Sequence, residues 1–113
     1  MATTDQLAQI GDPALAKLVR RLVEIYHPLR IYLFGSHARG DSGPDSDYDL
    51  MIVVPDDADD DGESEVRMLD ALWEERVAAD VLVWKREAFD KRLHLKASFP
   101  STIVREGRLL YAA

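Results

Sequence analysis

The chain has 113 residues, of which 47% are hydrophobic, which suits one domain with a core that needs no covalent staple. It contains no cysteine, so disulfide scaffolds and thiol chemistry are excluded, and no apolar run approaches the roughly 20 residues that span a bilayer. The net charge of −7 is local: Asp56, Asp57, Asp59, Asp60, Asp61, Glu63 and Glu65 carry the excess, and the remaining 14 acids balance 14 bases. With no basic stripe, an extended nucleic acid is not expected as a partner, nor is a membrane. The expectation is a soluble, cytoplasmic protein.

Residues 1–11 are polar and are expected as a frayed or loosely docked N-terminal tail, leaving 12–113 as the domain. Asp12-Pro13 is a helix opening, an N-cap followed by proline at the first helical position. Leu15, Leu18, Val19, Leu22, Val23 and Tyr26 follow helical spacing, and Pro28 stops that helix at about His27. Arg30 to Phe34 is the first strand. Ser36 to Arg39 is predicted as one helical turn, and 40–46 as a loop of turn residues. Tyr48 to Val54, rich in Ile and Val, is predicted as a central strand that Pro55 ends.

The acid-rich stretch that follows, to Gly62, is predicted as a solvated connector. Glu63 to Val77 places Val66, Leu69, Leu72, Trp73 and Val77 at helical spacing, an amphipathic helix. Val81 to Trp84 is a third strand, introduced by Asp80, and Arg86 to Leu93 a short helix. Another short helix begins near Ser98 and closes at Gly107 as C-cap. Leu109 to Tyr111 is predicted as a last, edge strand. This alternation argues for a single α/β (α+β) domain, a mixed sheet packed with helices.

Two stretches carry chemistry. Gly35-Ser36 follows a strand and opens a helical turn, a corner whose backbone N–H groups suit a phosphate. Asp47 and Asp49 share one face at the start of the next strand, because strand side chains repeat every second residue. Two like charges so placed repel unless a cation lies between them, and magnesium with its oxygen ligands fits. If the second and third strands are neighbours, Asp80 completes a three-carboxylate site.

Other motifs fail on spelling. Gly35 and Gly40 have P-loop spacing, but Asp41 stands where lysine is needed, and no Gly-x-Gly-x-x-Gly occurs. Asp45, Asp47 and Asp49 begin like an EF-hand, but Leu50 replaces the required glycine. His27 and His94 lack metal-ligand spacing.

Taken together, Gly35-Ser-His-Ala-Arg-Gly, Ser46-Asp47-Tyr-Asp49-Leu, Asp80 and the closing Glu106-Gly-Arg-Leu-Leu-Tyr111 resemble the DNA-polymerase-β-type nucleotidyltransferase superfamily. Within it, the chain is similar to the minimal nucleotidyltransferases (MNT proteins) of HEPN/MNT toxin–antitoxin pairs. The resemblance implies transfer of a nucleoside monophosphate, AMP from ATP, to a hydroxyl with two Mg²⁺ ions. Asp47 and Asp49 would be ligands of both ions, and Asp80 of the ion that activates the acceptor. Gly35 and Ser36 would hold phosphates. Arg39 matches the motif either as a phosphate contact or as a brace to a nearby acid. His37 stands where the family often has arginine and receives no role.

The resemblance also implies a helical HEPN-type toxin as partner in a hetero-oligomer, modified at a hydroxyl that is expected to be a tyrosine. A binding-only antitoxin and an aminoglycoside-type transferase are the alternative readings. Phe99 and Ile103 are candidates for a docking face beside Asp80, or for packing under the last strand.

Overall fold

The computed structural model describes residues 4–60 and 62–113, the first two of these by backbone alone. Asp61 and the first three residues of the expected tail lie outside the described residues. The elements run α1 (Thr4–Ala8), α2 (Pro13–Tyr26), β1 (Arg30–Phe34), α3 (Ser36–Arg39), β2 (Tyr48–Val54), α4 (Glu63–Glu75), β3 (Ala79–Lys85), α5 (Arg86–Asp90), α6 (Phe99–Glu106) and β4 (Arg108–Ala112). The strands form one mixed sheet in the order β3-β2-β1-β4, with β2 parallel to β3 and β1 antiparallel to both β2 and β4. The predicted mixed sheet and its helices are therefore present in one domain.

Helix α2 begins as expected. Asp12 accepts hydrogen bonds from the N–H groups of Ala14 and Leu15, with Pro13 in the first turn. It ends at His27, whose φ of 46° is left-handed and whose N–H bonds to the Val23 carbonyl. Leu15, Leu18, Val19 and Leu22 then pack with Leu50, Ile52 and Val54 of β2 on one face of the sheet. The other face carries a smaller cluster of Tyr32, Met51, Val53, Phe89 and Ile103. Arg30 reinforces this second face, pairing with Asp90 at 2.7 Å while its guanidinium lies over the Phe89 ring.

Several expectations need correction. Residues 6–10 of the expected tail are docked: Leu7 and Ile10 are buried, and the Gln6 side-chain amide bonds both the N–H and the carbonyl of Ala112. On α4 the buried residues are Met68 and Ala71, whereas Val66, Leu69 and Trp73 of the predicted core stripe are 59%, 55% and 84% exposed. Helix α5 stops at Asp90, three residues before Leu93.

Ile103 packs beneath the sheet and is no docking residue, while Phe99 is 40% exposed. Gly107 does cap α6 through its N–H to the Ile103 carbonyl, but its backbone is extended, with φ of −90°. Its glycine is required by crowding instead, since a Cβ would meet the carbonyl oxygens of Ile103 and Leu33 at 2.5 and 2.6 Å.

The acid-rich connector is also anchored at one point. Asp56 accepts from the Glu87 N–H at 2.8 Å and pairs with Arg86 at 2.9 Å, and Lys85 donates to the backbone of the same loop.

Candidate active site

The corner after β1 sits close to the start of β2. Gly35 has φ 74° and ψ −156°, a conformation costly for any side chain, and opens α3. A Cβ built on it would lie 2.2 Å from Oδ2 of Asp49. Glycine is therefore needed twice, for its backbone angle and for the carboxylate against it. A side chain at this position would strike Asp49 before it reached any phosphate. The turn is closed by the N–H groups of Arg39 and Gly40, which bond to the carbonyls of Gly35 and Ser36. The first N–H groups of such a turn have no partner within the helix and point out of its start.

Strand register assembles the acids. Phe34 pairs with Asp49 across β1 and β2, and Asp49 with Asp80 across β2 and β3. Registered neighbours in a sheet point to the same face, about 4.8 Å apart. Asp49 and Asp80 therefore stand side by side, on the face of Met51 and the smaller cluster. Asp47 precedes the strand by one residue, on the same alternation as Asp49, and is exposed. Burial pushes the Asp49 carboxyl above the usual carboxylate range, and Asp80 and Asp47 push it further the same way. Arg39 pairs with Asp41 at 3.2 Å on the exposed side of the turn. That is the brace named as one of its two readings.

The structure also gives His37 a place. Its ring stacks on Tyr48 with centroids 4.0 Å apart, and its Nε2 lies 2.8 Å from the carbonyl oxygen of Ser46. The Tyr48 hydroxyl donates to Asp12, the acid that also caps α2. This bond holds the Asp12 carboxyl low and pushes the Tyr48 phenol up to about 12. Both neighbours of Asp47 are thus held, one through its carbonyl and the other through ring and hydroxyl. The signal was a tyrosine lying between two acids, its side chain alternating to the opposite face.

The acids fit magnesium. They are hard oxygen donors, and their mutual repulsion, visible at Asp49, is what a divalent cation relieves. Among the described residues no three acidic, histidine or cysteine side chains already form a metal-holding group.

With this geometry in view, the comparisons agree. The profile of the family described as "Nucleotidyltransferase domain" matches residues 15–110. The chain belongs to this family and is a nucleotidyltransferase. A protein of Methanocaldococcus jannaschii carrying the name "Putative protein adenylyltransferase MJ0604" is 37% identical over 86 residues, 73% of this chain and 77% of that protein. Among solved structures, a toxin–antitoxin with AMP-PNP superposes with a TM-score of 0.55 at 21% identity, over 85% of this chain and 72% of that one. A mutant of the MntA-HpeT toxin–antitoxin gives 0.53 at 17% identity, over 84% and 71%. At those identities the likeness is one of fold. Among the described residues no helix is long and apolar enough to cross a membrane.

Proposed function

We propose that this nucleotidyltransferase moves AMP from ATP to a hydroxyl of a partner protein, a tyrosine of a helical HEPN-type toxin, and so acts as a cytoplasmic antitoxin. The observation that carries the reading is the registered pair Asp49 and Asp80, with Gly35 pressed against Asp49. The relative named for protein adenylylation and the fold neighbours solved as toxin–antitoxins, one with AMP-PNP, support the choice of nucleotide and partner.

Asp47, Asp49 and Asp80 would hold magnesium, which when bound neutralises charge on the phosphoryl oxygens of the reacting nucleotide. Gly35 and Ser36 receive the phosphates, the first by letting the backbone turn tightly against Asp49 and the second through its hydroxyl and the start of α3. Asp80 lies on the outermost strand and is exposed, so it borders the side from which an acceptor can approach. His37 and Tyr48 keep Asp47 from swinging away. The acceptor oxygen bonds to the α-phosphorus and gives up its proton. The bond from that phosphorus to the bridging oxygen breaks, and pyrophosphate leaves.

Intact-mass spectrometry of the toxin, incubated with this chain and MgATP, tests the reading. One or more AMP additions are expected with the wild-type chain and none with Asp80→Asn. A toxin neutralised equally well by Asp80→Asn, and never gaining mass, would replace transfer by simple masking. The apolar residues left exposed on α4 favour masking as the second reading.

A further inference from the structure

The open part of the acids' sheet face continues past them. Two residues beyond Phe34, Asp49 and Asp80, register sets Tyr32, Met51 and Leu82 side by side on the same face. That row lies about 7 Å farther along the strands. Tyr32 and Met51 are buried there, but Leu82 on the outermost strand is 38% exposed. Phe99, at the start of α6, completes the surface. Its ring meets those of Phe34 and Trp84 edge-on, with centroids 5.4 and 5.9 Å away. Phe34 stands in the acid row on β1, and Trp84 lies four residues beyond Asp80 on β3. The Phe99 ring therefore lies across β2 between them, next to the acids and 40% exposed.

The chain that leads into Phe99 is basic. Residues 91–98 carry Lys91, Arg92, His94 and Lys96 and no acid. Leu93 of this connector packs against the cluster of Tyr32, Met51 and Phe89, so the connector lies on the same side of the sheet as the shelf. Among the described residues neither Lys91 nor Lys96 forms an ion pair. An exposed apolar shelf thus has three carboxylates along one border and a basic connector leading into it.

We infer that Leu82 and Phe99 hold the ring of the acceptor tyrosine, presented by a partner segment rich in Asp or Glu. The inference rests on the reading that this chain adenylylates a protein, and it adds the residues that choose the acceptor. Position favours the acceptor over the nucleotide. The phosphate corner at Gly35-Ser36 follows β1, whereas Leu82 lies on β3, beyond Asp80. With its ring over Leu82, a tyrosine reaches the acid row by the length of that ring. Ser and Thr carry the hydroxyl one bond from Cβ, so their backbone would have to descend among the carboxylates. Charge sets the flanks. Acidic flanks meet Lys91 and Lys96, while only the uncharged ring meets the carboxylates. The phenol oxygen then bonds to the α-phosphorus of ATP, its proton passes to solvent, and pyrophosphate leaves.

The test uses the full chain with three short synthetic peptides: Tyr between Glu residues, Ser between Glu residues, and Tyr between Lys residues. With MgATP, mass spectrometry should show AMP added to the first about 10-fold faster than to the others. Phe99→Ala should raise KM for that peptide about 10-fold with kcat nearly unchanged, and Phe99→Tyr should restore it. Lys91→Glu/Lys96→Glu should raise KM for the Glu-flanked peptide and lower it for the Lys-flanked one. Lost packing does not produce that reversal. Calorimetry should show MgATP affinity unchanged in all three variants. A fall in Phe99→Ala would assign the ring to the nucleobase and overturn the inference. With an ATP analogue bridged by methylene between the α- and β-phosphorus, the Glu-flanked Tyr peptide should shift the amides of Leu82 and Phe99. Such shifts without any mass gain from ATP would keep the shelf and remove the transfer reading. Equal rates on the Tyr and Ser peptides, or a wild-type KM in Phe99→Ala, would overturn the shelf alone.

Discussion

The two faces of the sheet are built from the same strand and do different work. On one face Leu50, Ile52 and Val54 lie wholly beneath α2 and α4, and no polar side chain interrupts them. On the other, Met51 and Val53 are just as buried, but the row before them is Phe34, Asp49 and Asp80. The first face is closed along β1 and β2, and a cavity opens at its Val54 end beside Val83. The second is closed only where α5 and α6 reach, and the acids occupy what those short helices leave open. Stability and chemistry are thereby divided between faces, so a change on one should leave the other's role largely intact.

Asp49→Asn should separate them most sharply. Transfer is expected to fall about 1000-fold, roughly 4 kcal/mol of transition-state stabilisation, in a steady-state assay. The melting temperature should stay level or rise, because the raised Asp49 carboxyl makes its charged form unfavourable in the fold. The sign can be checked by titration. The native state binds this proton more tightly, so wild-type stability declines as pH rises from 3.8 through the raised value, and Asp49→Asn lacks that decline. A variant that kept full activity would break the division.

Leu22→Ala on the closed face is the converse. It should cost about 2–5 kcal/mol in denaturant unfolding, while the folded fraction still binds MgATP with wild-type affinity. Gly35→Ala should act on both faces' boundary, with a strained φ and a methyl group placed on Asp49. The expected cost is about 1–3 kcal/mol of stability. Calorimetry should also show MgATP binding lost. Retained binding would move the phosphates away from this corner.

Tyr48→Phe should have the smallest effect. Losing the bond to Asp12 should cost about 1–2 kcal/mol, since the acceptor is charged but the pair is only half buried. In the wild type this contribution is present below pH 10 and lost as pH rises toward about 12, where the phenol ionises in the fold. The variant should show no such alkaline loss. Its KM for MgATP should rise more than its kcat falls if Tyr48 acts by holding Asp47.

Most elements could be read from the chain because their signals are local: a capping Asp before proline, a proline after a strand, alternating Ile and Val. The candidate acids were equally legible, since Asp-x-Asp defines a face whatever the topology. Asp80 needed topology, and the parallel pairing of β2 with β3 supplied it.

What could not be read depends on facing rather than spacing. Helix α4 carries apolar residues on two sides, and periodicity alone does not say which side meets the sheet. Leu7 and Ile10 are too few to mark a helix, and the Gln6 contacts that fix them lie 106 residues away in sequence. His37 departs from its family's usual residue, and its role exists only through Tyr48 and the Ser46 carbonyl.

The amide of Gln6 does for β4 what a fifth strand would do at that point, offering one donor and one acceptor to Ala112. At the opposite end of the sheet β3 is flanked by no further strand among the described residues. The sheet is therefore polar as a template, plugged on one border and able to add a strand on the other. Any assembly that extends it, productive or aggregated, should grow outward from β3, and Gln6→Ala should open the second direction.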